Sequence, residues 1–253
     1  MITFQDLSAY TKEDHQTWNI LHTRQLKENF PHASREYQKG FHLLDIKGDE
    51  IIDIYRMSEK LEPSGWKLVP VTGLIPTRDF FYMLVDKKYP VTVPIRKPYK
   101  LDFSDSPDIF HDVYGHIPLL THEQFDSYLT GFSTIALKYI DNEEAVELLG
   151  RLYWYTFEMG FILEDNEIRP YGGAVLTSQS EIENAKSDTT RIHPFSTKHI
   201  FDTPFDSNKL QGQYFIIDSF DDLFNSLHTL ENDLKETLGV KSVTCQVSHS
   251  GGN

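Results

Sequence analysis

Apolar residues over 11–46 recur at helical spacing, with Trp18, Ile20, Leu21, Leu26 and Phe30, then Phe41, Leu43 and Leu44, on recurring faces. Pro31 interrupts the pattern and predicts two helices. A third, DEIIDIYRMSEKL over 49–61, precedes Pro63, Gly65 and an extended WKLVPV run. The spacing predicts a helix over 78–88 and a proline-interrupted, mostly irregular segment over 89–106. Helices are expected again at 107–115, 122–140 and 143–163, then a hairpin-like region over 161–176 and a helix near 178–186. A loop rich in Thr, His and Pro leads to a strand, QYFIID (213–218), and a terminal helix over 219–238. No repeat or linker interrupts this order. The pattern therefore reads as one mostly helical domain over 1–240 with small β elements, a helical basket with long irregular loops. Residues 241–253, VTCQVSHSGGN preceded by Lys and Ser, have no apolar period and are expected to form a mobile tail. Long loops in a compact domain are uncommon and often functional, which directs attention to 62–77 and 89–106.

Composition narrows the function classes. Apolar residues make up 39% of the 253 and aromatics 13%, which suits one large core with an aromatic-lined cavity. A net charge of -14 argues against a phosphate-backbone partner, whose recognition rests on lysine and arginine, and is unfavourable for anionic membranes. No run approaches the length of a membrane span, and the N-terminus lacks a signal-peptide core. The single cysteine, Cys245, excludes an internal disulfide framework. A cytoplasmic protein is expected.

Between 107 and 120 runs PDIFHDVYGHIPLL, with His111 and His116 five positions apart. On a straight helix such residues point roughly 140° apart. They converge if the helix ends between them, and Gly115 and Pro118 are residues of helix termini. A third ligand is offered by Glu158 in the apolar, aromatic run RLYWYTFEMGFI. An unpaired buried carboxylate is prohibitively costly, so such a residue is normally paired, neutral or metal-bound. Two imidazoles and one carboxylate with open positions form the facial arrangement of non-haem Fe(II) oxygenases, whereas structural zinc sites usually close with thiolates. A lone histidine at a helix end is usually a cap or surface residue; the joint pattern favours ligation.

The blocks PDIFHDVYGHIPLL and LYWYTFEMG closely resemble the iron- and tetrahydropterin-dependent aromatic amino acid hydroxylases, and most of all their bacterial phenylalanine 4-hydroxylase branch. GWKLVPVTGLIPTRDFF, YPVTVPIRKP and RPYGGAVLTS match further family blocks in the same order, so the resemblance covers roughly residues 12 to 235. It implies Fe(II) held by His111, His116 and Glu158, with O2 as co-substrate. It implies a tetrahydropterin meeting the backbone of Leu74 and Ile75, near Thr77 and Asp112, with Phe80 stacked on its ring. It further implies that Arg96 pairs with the carboxylate of an amino acid substrate, a task suited to a guanidinium fork. Ser104, Pro107, Trp154 and Thr177 would line the pocket, Trp154 and the His111 ring enclosing the aromatic side chain. Thr177 and Tyr153 would support the ligands, Thr177 from a position the family commonly fills with serine. Ser106 stands where the family usually has glutamate.

The animal tryptophan hydroxylases carry phenylalanine at the place of Trp154, which favours phenylalanine or tyrosine as substrate. The implied activity is phenylalanine 4-monooxygenation. Action on tyrosine, tryptophan or the meta position is the alternative within the family. A metal-stabilised binding protein without turnover would instead predict zinc and a closed ligand set. Animal members add regulatory and coiled-coil segments for which this chain is too short, so a monomer is expected.

Overall fold

A computed structural model describes residues 1–102 and 106–239. Ser104 and the 241–253 tail lie outside the described residues. Thr11 opens α1 (Lys12–Arg24) through a reciprocal capping box with Asp14. After a π-turn at Gln25–Asn29 and a break at Pro31, Ser34 caps α2 (Arg35–Leu44). The predicted third helix begins later than its apolar pattern: Asp53 caps α3 (Ile54–Lys60), and 49–53 is not helical. β1 (Lys67–Val71) then leads to α4 (Thr77–Val85).

The irregular segment expected from residue 89 is incorrect at its start. Lys88–Thr92 is a strand, β2, parallel to β1 with Val69 opposite Pro90. Lys67 N bonds Lys87 O and Val93 N bonds Val71 O, so the odd-numbered residues of β2 address the ladder. Pro90, which has no N–H, faces away from it and is tolerated.

Next come the short α5 (Ile109–His111), α6 (Glu123–Lys138) and α7 (Glu143–Tyr153). A hairpin of β3 (Phe161–Glu164) and β4 (Glu167–Pro170) turns at Asp165 and Asn166, both with positive φ. α8 (Gly173–Leu176) and α9 (Gln179–Ala185) follow. The Thr/His/Pro loop contains two elements absent from the sequence reading, β5 (Arg191–Pro194) and α10 (Thr197–Phe201). β6 (Gln213–Ile217) completes a four-stranded sheet in the order β4-β3-β6-β5. The terminal helix divides at Ser226 into α11 (Phe220–Asn225) and α12 (Leu227–Thr237). No helix among the described residues is long and apolar enough to cross a membrane.

The core gathers aromatic residues around α6. Its buried face, Phe125, Tyr128, Leu129, Phe132 and Ala136, follows helical periodicity. Phe157 meets Phe125, Tyr128, Phe132 and Tyr153 at centroid distances of 5.5, 5.1, 5.5 and 4.9 Å. Such pairs add about 0.5–1.5 kcal/mol each beyond burial, so the backbone beside Glu158 is firmly held.

Candidate metal centre and cavity

His111 and His116 converge by a different device from the helix end that their spacing suggested. α5 does not stop at Gly115; it widens into a π-turn over Asp112–His116 and then tightens to a 3₁₀ turn over Ile117–Thr121. Bonding from i to i+5 brings residues five apart to nearly the same side. A second π-turn, Trp154–Glu158, extends α7 and closes with Met159 N donating to Trp154 O at 2.8 Å. All three candidate ligands thus stand on or beside π-turns.

The first turn is gripped from outside. Tyr37 Oη donates to Tyr114 O at 2.6 Å, and Tyr114 Oη bonds His22 Nδ1 at 2.5 Å. The Tyr114 ring stacks on Phe110 at 4.5 Å and meets Trp18 at 5.3 Å. α1 and α2 therefore hold the segment that sets the histidine geometry.

Gly115 serves close packing, since a Cβ there would lie 2.8 Å from Gly173 O. At Gly173 a Cβ would lie 2.3 Å from His116 Cε1, and at Gly172 one would lie 2.5 Å from Glu158 C. The YGGA sequence thus allows α8 to press against both ligand-bearing turns.

His111 Nε2 and His116 Nε2 are 3.1 Å apart. Glu158 Oε1 lies 3.4 Å from His116 Nε2 and Oε2 lies 3.7 Å from His111 Nε2. Among the described residues this is the one group of three such side chains whose donor atoms gather within 4.8 Å. His111 Nδ1 bonds Thr177 Oγ1 at 3.2 Å, while Thr177 Oγ1 donates to Gly173 O at 2.9 Å. The hydroxyl's proton is thereby committed, so His111 donates from Nδ1 and keeps the Nε2 lone pair inward. That is the tautomer a metal requires.

The electrostatics agree. Burial holds the His111 imidazole down to about 4 despite Glu158 opposite, so it is neutral at physiological pH. Burial alone would raise Glu158, but His116 and His111 overcome it and bring the carboxyl down to about 2. Burial lowers His116, and the Glu158 carboxylate outweighs this and raises it. One neutral imidazole, one that a cation would deprotonate and one carboxylate fit a divalent metal.

A cavity of about 370 Å³ opens beside the triad. Its walls include Leu74, Ile75, Thr77, Phe80, Pro107 and Asp112, all expected at organic-ligand positions, and Tyr153, expected to support the candidate ligands, together with His111, His116 and Glu158. Phe80 meets Tyr153 edge-on at 5.8 Å, leaving its ring to form a wall. Asp112 Oδ2 accepts from Thr92 N at 2.6 Å, and burial raises its carboxyl to about 7. Tyr89, Pro90 and Thr92 also line the cavity, although the sequence reading assigned them no role. Their signal was the alternation hidden by Pro90.

Three expected pocket residues, Thr177, Arg96 and Trp154, are not among those lining this cavity. Thr177 backs His111 as described. Arg96 is buried, and its Nε and Nη2 grip Asp108 Oδ2 and Oδ1, each at 2.8 Å. Asp108 also caps α5 by accepting from His111 N at 2.9 Å, so the ion pair helps orient a ligand. The fork is thus not free, and Nη1 is its remaining edge, 3.5 Å from Leu101 O. Trp154 stacks on Phe205 at 4.7 Å with planes 9° apart, and its Nε1 donates to Gln211 Oε1 at 3.2 Å.

Known proteins are similar to this chain in sequence and fold. A family model for biopterin-dependent aromatic amino acid hydroxylases matches residues 6–248. The phenylalanine-4-hydroxylase of Chromobacterium violaceum is 38% identical over 224 residues, 88% of this chain and 75% of that protein. That of Pseudomonas aeruginosa is 36% identical over 216 residues, 85% of this chain and 82% of that protein. A crystal structure of the Chromobacterium violaceum enzyme with bound iron(III) and 7,8-dihydrobiopterin superposes with a TM-score of 0.88 at 37% identity, covering 94% of this chain and 86% of that one. With two histidines and a glutamate converging beside an aromatic cavity, and with these matches spanning nearly its whole length, the chain belongs to the biopterin-dependent aromatic amino acid hydroxylase family.

Proposed function

We propose that this chain is a phenylalanine 4-monooxygenase, converting L-phenylalanine to L-tyrosine with O2 and a tetrahydropterin at a non-haem Fe(II) centre. The observation that carries the reading is the triad at the edge of a 370 Å³ aromatic cavity, in a chain 38% identical to a phenylalanine-4-hydroxylase. His111, His116 and Glu158 would hold the iron on one face. When bound, iron and pterin supply the electrons and O2 activation that leave one oxygen on each organic partner.

The chain's own residues bind and orient. Thr177 keeps His111 in the ligating tautomer, while Asp108 fixes the start of its helix. Phe80 offers its ring to the flat pterin, with Leu74 and Ile75 at its edge and Thr77 and Asp112 beside it. Arg96 offers Nη1 to the amino acid carboxylate. Pro107 and Trp154 border the aromatic side chain, and Tyr153 supports Glu158 from the cavity wall. We place this enzyme in the cytoplasm as a monomeric single catalytic domain over 1–240, acting on a small molecule without nucleic-acid or membrane partners. Its charge of -14 supports that reading.

Turnover of Phe, Tyr and Trp side by side by the Fe(II)-loaded protein, with kcat/KM for each, tests the substrate. A preference for phenylalanine is expected. Preference for tyrosine or tryptophan would reassign the substrate within the family, and no turnover with tightly held zinc would overturn the enzymatic reading.

A further inference from the structure

Gln211 lies at the end of an exposed polar loop, yet its side chain is buried and its amide is fully engaged. Indole Nε1 is a donor only, so Gln211 Oε1 must face Trp154. Gln211 Nε2 donates back to its own loop, to Asp206 O at 2.9 Å and Lys209 O at 2.7 Å. Its backbone is tied to α9: Asn184 Nδ2 donates to Gln211 O at 2.7 Å, and Gln211 N reaches Glu181 Oε2 at 3.5 Å. Tyr214 Oη completes the group by donating to the Glu181 carboxylate and accepting from Asn184 Nδ2 at 2.9 Å. The other end of the loop is pinned to the same π-turn, where Tyr155 Oη donates to Pro204 O at 3.1 Å. Beside Pro204, Phe205 covers one face of the Trp154 indole although Phe205 itself is exposed.

These contacts constrain Trp154 twice. An in-plane hydrogen bond at Nε1 fixes the rotation of the ring, and the Phe205 stack leaves only the opposite face for another aromatic group. Neither constraint comes from α7 or from the π-turn that bears Trp154. We propose that Gln211 and Phe205 are positioning residues for the amino acid substrate, so that the 204–211 loop fixes the wall against which the aromatic side chain packs. This rests on the reading above in which Trp154 borders that side chain. Preorganising a wall spares binding the cost of ordering it, whereas a loosened indole charges that cost to substrate affinity.

The test measures steady-state kinetics of the Fe(II)-loaded enzyme beside tryptophan emission. Trp18 and Trp66 are buried at 0% and 1% exposure, so an emission shift caused by loosening this loop reports on half-buried Trp154. Gln211→Leu and the surface variant Phe205→Ala are expected to red-shift the emission and raise the KM for phenylalanine roughly three- to tenfold. The expected kcat and pterin KM stay within about twofold, the signature of lost substrate positioning. Phe205→Tyr keeps the stack and is expected to restore both readouts. A red shift with unchanged KM would overturn the proposal, as would unshifted emission in both variants. Trp154→Ala separates the two layers: if it leaves the KM for phenylalanine unchanged, the underlying reading of Trp154 falls; if it raises the KM while the loop variants do not, only the positioning role falls.

Discussion

Replacing Gly173 by alanine should disable the metal centre without touching a ligand. The added Cβ would lie 2.3 Å from His116 Cε1, 2.5 Å from Nε2 and 2.7 Å from Nδ1, against 3.4–4 Å for an ordinary contact. The ring must therefore retreat by about 1.1 Å, the shortfall from 3.4 Å. It has little room, with Tyr89 at 5.6 Å between centroids on one side and His111 Nε2 at 3.1 Å on another. Metal–ligand distances tolerate deviations of only about 0.2 Å, so the retreat removes one of three ligands. Disturbing merely a ligand's hydrogen-bond partner costs about 10–100-fold in metal affinity, and this change should cost roughly 100-fold or more. Overpacking should also destabilise the metal-free fold by about 1–3 kcal/mol, lowering Tm by roughly 2–12 °C for a chain of this size. Anaerobic calorimetric titration with Fe(II) and a melting curve of the metal-free protein measure the two effects. Gly150→Ala is the control, because nothing lies within 4 Å of its Cβ in mid-helix and it should gain about 0.5–1 kcal/mol. Wild-type metal affinity and Tm in Gly173→Ala would refute the packing argument.

Thr177→Val removes the acceptor for His111 Nδ1 and is expected to weaken Fe(II) binding about 10–100-fold, with Thr177→Ser restoring it; equal affinity in all three would show that the bond does not hold the tautomer. Asp108→Ala strands a buried guanidinium and should destabilise the fold by about 3–5 kcal/mol in urea unfolding, while a loss under 1 kcal/mol would mean that water reaches Arg96. His111 makes a distinct contribution to the pH dependence of the metal-free protein: its folded pKa, about 4, is below the ordinary 6.5, so the unfolded chain takes up the proton first and this contribution falls from pH 6.5 to 4. The His111 loss is on the order of 3 kcal/mol; Asp112, whose carboxyl is raised by burial to about 7, contributes in the opposite direction across the same range, and His116, with its raised pKa, does so above pH 6.5. His111→Gln should remove this contribution, so the stability difference between wild type and variant should shrink by that amount from pH 6.5 to 4, and a pH-independent difference would refute the assignment.

Most helices and the histidine pair that converges with Glu158 were legible because their signals are local. α6 and α7 carry strong apolar periods over ten or more residues, and the histidine pair is close in sequence. The means of convergence was not legible: a five-residue spacing beside Gly and Pro is compatible with a helix end or a π-turn. What decides is the pressure of Gly173 on Gly115 and the Tyr37 hydroxyl on the turn's carbonyl, both made by distant segments. β2 and β5 were missed because each is short and pairs in parallel with a strand separated from it by a crossover, a partnership that sequence does not display. Gln211 gave no signal at all. Its role arises only when the loop folds back onto Trp154, and a glutamine among Asn, Lys, Leu and Gly reads as solvated surface. Arg96 was read as a fork for a substrate carboxylate, whereas its Nε and Nη2 hold Asp108, which lies inside the histidine block and was assigned no role.

The most direct test pairs Fe(II) stoichiometry with single-turnover product analysis for wild type, His116→Ala and Glu158→Ala, each given tetrahydropterin, O2 and phenylalanine. Wild type is expected to bind one iron per chain and yield para-tyrosine, with both lost in the two variants. A Glu158→Ala protein that retained iron and produced para-tyrosine, or a loaded wild type that produced no hydroxylated amino acid, would contradict a reaction centred on His111, His116 and Glu158.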